Sequence, residues 1–150
     1  MEDIIVNVKD FEIDWEVIQG VYDTTDFLTI IFDRQSELME KYGPIELANG
    51  THVPSDRMHG DLDSRVIQTR IKDMSQRMVE ELMEAMNTLK NKPWKQDYKP
   101  TNRDHFYEEI ADCLHFFVEL CIISGMSASD LFSFYMRKSE VNKFRQRSGY

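Results

Sequence analysis

Glu80-Glu81-Leu82-Met83-Glu84 interrupts the apolar face of what otherwise reads as one long amphipathic helix over residues 70–90. At about 100° per residue, Ile67, Ile71, Met74, Met78, Ala85 and Leu89 share one apolar stripe. Glu81 falls within that stripe, and Glu84 lies on its edge one turn further along. A carboxylate on the core-facing side of a helix is costly unless something pairs with it. The stretch therefore predicts either a basic partner opposite it or a bound metal ion. It also predicts a fold in which this helix packs lengthwise against others.

Downstream, residues 101–125 supply a matching helix. Thr101-Asn102 can open it, Asp104 is favourable in its first turn, and Gly125 closes it. After Ile110 it is apolar on almost every side, through Leu114, Phe116, Phe117, Val118, Leu120, Cys121, Ile122 and Ile123. Such a helix is the central rod of a helical domain or of an oligomer interface. Glu109 and Asp112, one turn apart, project from the side that Phe116, Leu120 and Ile123 continue, so this pair is core-directed as well. Cys113 and Cys121 on the same helix read as buried reduced thiols.

Upstream, a helix is expected over residues 25–42, capped by Thr24 or Thr25 and stopped by Gly43-Pro44. Phe27, Ile31, Leu38 and Tyr42 make its buried face. Gln35 lies on that face, either as a core-edge amide or as a group aimed into a ligand pocket. Residues 43–63 form a turn-rich stretch in which His52 and His59 read as solvated. Asp63 or Ser64 then caps the helix first described, which runs to about residue 91, where Lys92-Pro93-Trp94 breaks it. In the following loop, Trp94 and Tyr98 suit either stacking on a base or plugging the end of a bundle. Ser127-x-x-Asp130 resembles a capping box and opens a last helix over 128–145. There Leu131, Tyr135, Lys138, Asn142 and Arg145 form one stripe, apolar at first and then cationic, as if aimed at an anion. Residues 1–24 read as an arm. The expected architecture is all-α, a four-to-five-helix bundle forming one domain over 1–150.

The chain has 150 residues, 41% hydrophobic and 30% charged, which suits a soluble globular protein with a real core. Its formal net charge of -9 argues against a nucleic-acid partner. With no apolar run of membrane length and no leader, the expected compartment is the cytoplasm. An acidic protein handling a phosphorylated ligand needs metal ions between the two negative partners.

Two helices thus carry carboxylate pairs at i, i+3: Glu81/Glu84 and Glu109/Asp112. If the helices are antiparallel neighbours, four carboxylates converge, and four like charges cannot all ionise there without strong compensation. All-oxygen ligands without cysteine suit Mg²⁺ or Mn²⁺, two or more ions, which would in turn hold phosphate oxygens and activate a water. A di-iron site is the competing metal reading, because His115 follows Asp112 at i+3, but the other helix lacks the histidine such sites use. Without metal, Arg70, Arg77 and Lys138 would have to pair with the carboxylates as interhelical salt bridges.

Glu80-Glu81-x-x-Glu84 followed by Glu109-x-x-Asp112 resembles the signature of the all-α nucleoside triphosphate pyrophosphatase superfamily, which includes MazG-type proteins, dimeric dUTPases and dCTP pyrophosphatases. The tail from Tyr135 through Lys138, Asn142, Arg145, Gln146, Arg147 and Gly149 to Tyr150 is similar to phage-encoded members, and Phe32-Asp33-Arg34-Gln35 resembles the family's base-side helix. The resemblance implies Mg²⁺-dependent hydrolysis of a nucleoside triphosphate, dUTP or dCTP, to the monophosphate and pyrophosphate, with a purine triphosphate as the alternative substrate. By position, Glu81, Glu84, Glu109 and Asp112 would hold the ions, and Glu81 would take a proton from the attacking water. Lys138, Asn142, Arg145 and Arg147 would hold phosphates, Gln35 would read the base, and Trp94 would cover it. It further implies a homodimer or homotetramer and, from the tail, a phage protein acting in host cytoplasm. From another class, a helical regulatory module without catalysis fits the same composition.

Overall fold

The computed structural model describes residues 26–96 and 99–149. Among them there are four α-helices and no strand: α1 (Phe27–Ala48), α2 (Arg65–Thr88), α3 (Arg103–Ile123) and α4 (Ala128–Arg147). The chain is therefore all-α, as expected. The arm at 1–24, the proposed caps Thr24 and Thr25, and Tyr98 and Tyr150 lie outside the described residues.

The centre of the fold is the antiparallel pair α2 and α3, by far the most extensive helix contact. At one end Ile67 meets Ile123, both fully buried, with Met74, Phe116 and Leu120 between. In the middle the Cys113 thiol donates to the Met78 carbonyl at 3.6 Å. The apolar stripe of α2 is thus the seam that its spacing predicted, with Ile67, Met74 and Ala85 buried along it. α1 crosses α3, placing Phe32 against Val118 and Cys121, with Ala128 at the start of α4.

α1 departs from expectation at both ends. Asp26 caps its start, accepting from the Thr29 backbone N–H at 3.0 Å. Gly43-Pro44 does not stop the helix, which continues to Ala48 with Pro44 inside it. Proline removes one hydrogen bond from a helix interior and crowds the preceding turn, but tertiary contacts outweigh that here. Gly43 is buried against Val53, and Glu46, one turn further on, is tied to α2. The buried face is also rotated from the expected one: Phe27 and Tyr42 are exposed, and Phe32 and Gln35 are the buried residues.

Glu46 belongs to a closed charge network. Arg70 on α2 is 5% exposed and donates through Nη2 to Glu46 on α1 at 2.8 Å and to Glu119 on α3 at 3.0 Å. One guanidinium thereby joins three helices. Buried charges of this kind are tolerated only when paired and hydrogen-bonded.

α4 is different. Its Ser127 capping box is present in both directions, but after Leu131 little of the helix is covered. Tyr135, Phe132, Phe134 and Phe144 are all exposed, so the stripe running from Leu131 to Arg145 faces the core only at its first residue. α4 leaves α3 at an angle of 102°. At the corner, Gly125 has φ +80°, and a Cβ there would stand 2.7 Å from the Gly60 Cα. The Gly60 N–H donates to the Ile123 carbonyl at 2.9 Å, binding the loop ahead of α2 to the end of α3. Among the described residues no helix is long and apolar enough to cross a membrane.

Candidate metal centre

Toward the end of the α2–α3 pair away from Ile67 and Ile123, the seam stops being apolar. Glu81 of α2 meets Glu109 and Asp112 of α3, and one carboxylate oxygen from each lies within 4.8 Å of the other two. The antiparallel pairing creates this meeting. Glu81 continues the line of Ile67 and Met74, while Glu109 and Asp112 continue that of Phe116 and Ile123, so packing the apolar seam carries the acids together.

The electrostatics record the conflict. Desolvation pushes the Glu81 carboxyl up from 4.5 to about 7, helped by the charges of Glu84 and Asp112 and by a hydrogen bond with Glu109. Asp112 is also raised, first by desolvation of its carboxyl group and then by the charges of Glu109 and Glu108, with His115 acting in the opposite direction. The arginines that could have neutralised the cluster are engaged elsewhere. Arg70 holds Glu46 and Glu119, and Arg77 lies by Asp73 and Glu80 on its own helix. Among the described residues, Glu81 and Asp112 have no lysine or arginine in ion-pair contact.

The donor set fits a hard divalent cation: three carboxylates from two rigid helices, with no sulfur among them. A proton between Glu81 and Glu109 relieves the same repulsion that a metal ion would. Glu84 stands one turn from Glu81 and acts on it through its charge, but the group that closes within 4.8 Å consists of the other three. His105 sits on the far side of Glu109, its Nε2 2.8 Å from Glu109 Oε1. Sequence reasoning missed this histidine, although its position four residues ahead of Glu109 on one helix was the available signal. It steadies one oxygen of a carboxylate whose side chain is only 12% exposed.

The remaining candidates are dispersed. Gln35 is 5% exposed, and His115 Nδ1–H donates to its Oε1 at 2.8 Å. Trp94 is 76% exposed and does not plug the bundle. Lys138, Asn142 and Arg147 line an open groove of about 540 Å³ along α4, together with Tyr135, Ser139, Lys143 and Gln146. Arg145 is on the same helix. From Asp112 to Ile123 the axis of α3 rises about 16 Å at roughly 1.5 Å per residue. With the 102° turn, Lys138 and Arg145 then fall about 15 and 26 Å along α4 on the same basis. Their stations on the axis are therefore on the order of 20 and 28 Å from Asp112, more than a lysine or arginine side chain spans. Within one chain the cations and the carboxylates are not brought together.

Comparison with known proteins gives one informative likeness. A 70-residue stretch is 36% identical to the dCTP pyrophosphatase of Enterobacteria phage LZ5, in a match spanning 39% of this chain and 41% of that protein. No family model and no solved structure matches the chain. By sequence, then, the chain is similar over part of its length to a phage dCTP pyrophosphatase.

Proposed function

We propose that this chain is a metal-dependent nucleoside triphosphate pyrophosphatase, acting on dCTP or dUTP and releasing pyrophosphate. The observation that carries the reading is the convergence of Glu81, Glu109 and Asp112 on a seam where no arginine answers them. Structural charges elsewhere in the molecule are neutralised within the protein; these are left for a ligand. The likeness to a dCTP pyrophosphatase supports the same chemistry.

A magnesium or manganese ion held by Glu81, Glu109 and Asp112, with Glu84 beside them and a second ion accommodated, would neutralise phosphate charge and supply an activated water. The chain's residues do the rest. Glu81, poised near 7, is suited to accept a proton from a water at neutral pH. His105 holds one Glu109 oxygen, which leaves the other to face the site. Gln35 lies in the α1–α3 crossing and reads the base, with Trp94 covering it from the loop after α2. Lys138, Asn142, Arg145 and Arg147 hold the β and γ phosphates and stabilise the leaving pyrophosphate. Because one chain's α4 stands away from its own carboxylates, the clamp at each site comes from a second copy. The exposed aromatic face of α4 and the apolar Ile110 and Leu114 on α3 give a homodimer surface to bury.

The test is pyrophosphate release from a panel of pyrimidine and purine dNTPs, with and without Mg²⁺. Turnover of dCTP or dUTP that stops on chelation is expected. A folded protein that hydrolyses none of the panel would remove the enzyme reading in favour of a regulatory module.

A further inference from the structure

α3 presents three polar groups in steps of three residues: Glu109, Asp112 and His115. The first two meet Glu81, and the third turns to α1, where its Nδ1–H donates to Gln35 Oε1. The rise from Glu109 to His115 is about 9 Å, so the order along the helix matches the order of phosphate, sugar and base in a nucleotide. Gln35 sits otherwise among apolar neighbours, one turn from Phe32 in the cluster with Val118 and Cys121. A buried amide in such a seam is held in one orientation by the bond it makes.

That orientation has a chemical consequence. Gln35 Oε1 is directed to α3 and occupied by the histidine N–H, which turns the Nε2 end of the planar amide away from His115. Toward a ligand on that side the residue is a donor. We infer that His115, by fixing the Gln35 amide as a donor, sets the site's preference for a base with a ring-nitrogen acceptor on its pairing edge: cytosine over uracil. This rests on the pyrophosphatase reading above. Cytosine offers N3 and O2 as neighbouring acceptors. Uracil has an N–H at position 3, and two N–H groups facing each other leave both unpaired, which a buried site penalises. His115 is a positioning residue here and touches no substrate.

The experiment is a comparison of kcat/KM for dCTP and dUTP in the wild type, His115→Ala, His115→Asn and Gln35→Ala, with Tm measured for each. The wild type should prefer dCTP by about tenfold or more, the factor that one ordinary hydrogen bond is worth. His115→Ala, freeing the amide to turn over, should bring the ratio close to one, chiefly through a higher KM for dCTP. His115→Asn places an amide N–H near the Nδ1 position and should restore most of the preference. Gln35→Ala should lose the preference as His115→Ala does. A folded His115→Ala with the wild-type ratio overturns the inference, as does a wild type that treats the two nucleotides alike. Both outcomes leave the pyrophosphatase reading standing. A wild type that hydrolyses no dNTP fails that reading first, so the two failures are distinct.

Discussion

α2 carries two charged sites three turns apart, and they are built on opposite principles. At Arg70, one guanidinium sits between Glu46 and Glu119 and ties α1, α2 and α3 together. At Glu81, three carboxylates from the same two central helices face each other, and the strain is visible in a carboxyl group raised to about 7. The first site is closed, with its charge answered inside the protein. The second is open, since what answers its charge must come from outside, either a proton or a cation. Packing explains why both persist in one seam. α2 and α3 bury enough apolar surface between Ile67, Met74, Phe116 and Ile123 to hold the acidic end together against its own repulsion.

Three substitutions would break or sharpen that contrast. The largest effect is expected from Glu109→Gln, which should reduce pyrophosphate release by about 10²–10⁴-fold, the range of a general acid–base contribution, while the melting curve stays cooperative. Wild-type activity in that variant would leave the open site with no chemical role. Next is Arg70→Met. Removing the cation from a buried network leaves Glu46 and Glu119 facing each other and costs about 3–5 kcal/mol. In a chain of this size that lowers Tm by roughly 10 °C or more, and a wild-type melt would mean the closed site holds nothing together.

The smallest effect carries a sign. Glu81 binds its proton more tightly in the folded, metal-free protein than in the unfolded chain, because its value is raised from 4.5 to about 7. The resulting stability is complete below the ordinary carboxylate range and is lost as pH rises through about 7. Glu81→Gln removes that dependence. The variant should melt a few degrees above the metal-free wild type at pH 8, and the gap should close at pH 5. A lower Tm at pH 8 would show that Glu81 is paired like Arg70, and the contrast between the sites would disappear.

Much of this arrangement can be read from spacing. A period of 3.6 residues placed Ile67, Met74 and Ala85 on one face, and the same period put Glu81 on it and Glu109 and Asp112 opposite. Serine followed by aspartate three residues later located the start of α4. What periodicity does not contain is the identity of the opposing surface. The stripe from Leu131 to Arg145 is regular, but nothing in it says that α3 would turn by 102° and leave most of the stripe uncovered. Arg70 was readable as a partner for the α2 and α3 acidic pairs; only the tertiary crossing of α1 brings Glu46 to it. Pro44 was misread for a similar reason, since a local rule about proline does not weigh the contacts that continue the helix to Ala48.

The glycine pair at the α3–α4 corner has a mechanical consequence. Gly60 and Gly125 touch backbone to backbone, and the Gly60 N–H is bonded to the last carbonyl of α3. α4 works as a lever whose far end carries Lys138, Asn142 and Arg147, and such a lever is aimed at its root. A displacement of a fraction of an ångström at Gly125 is multiplied along some 20 Å of helix, on the order of the length from Ala128 to Asn142 at the α-helical rise. Where the cations arrive is therefore decided by two residues that carry no side chain and take no part in the chemistry.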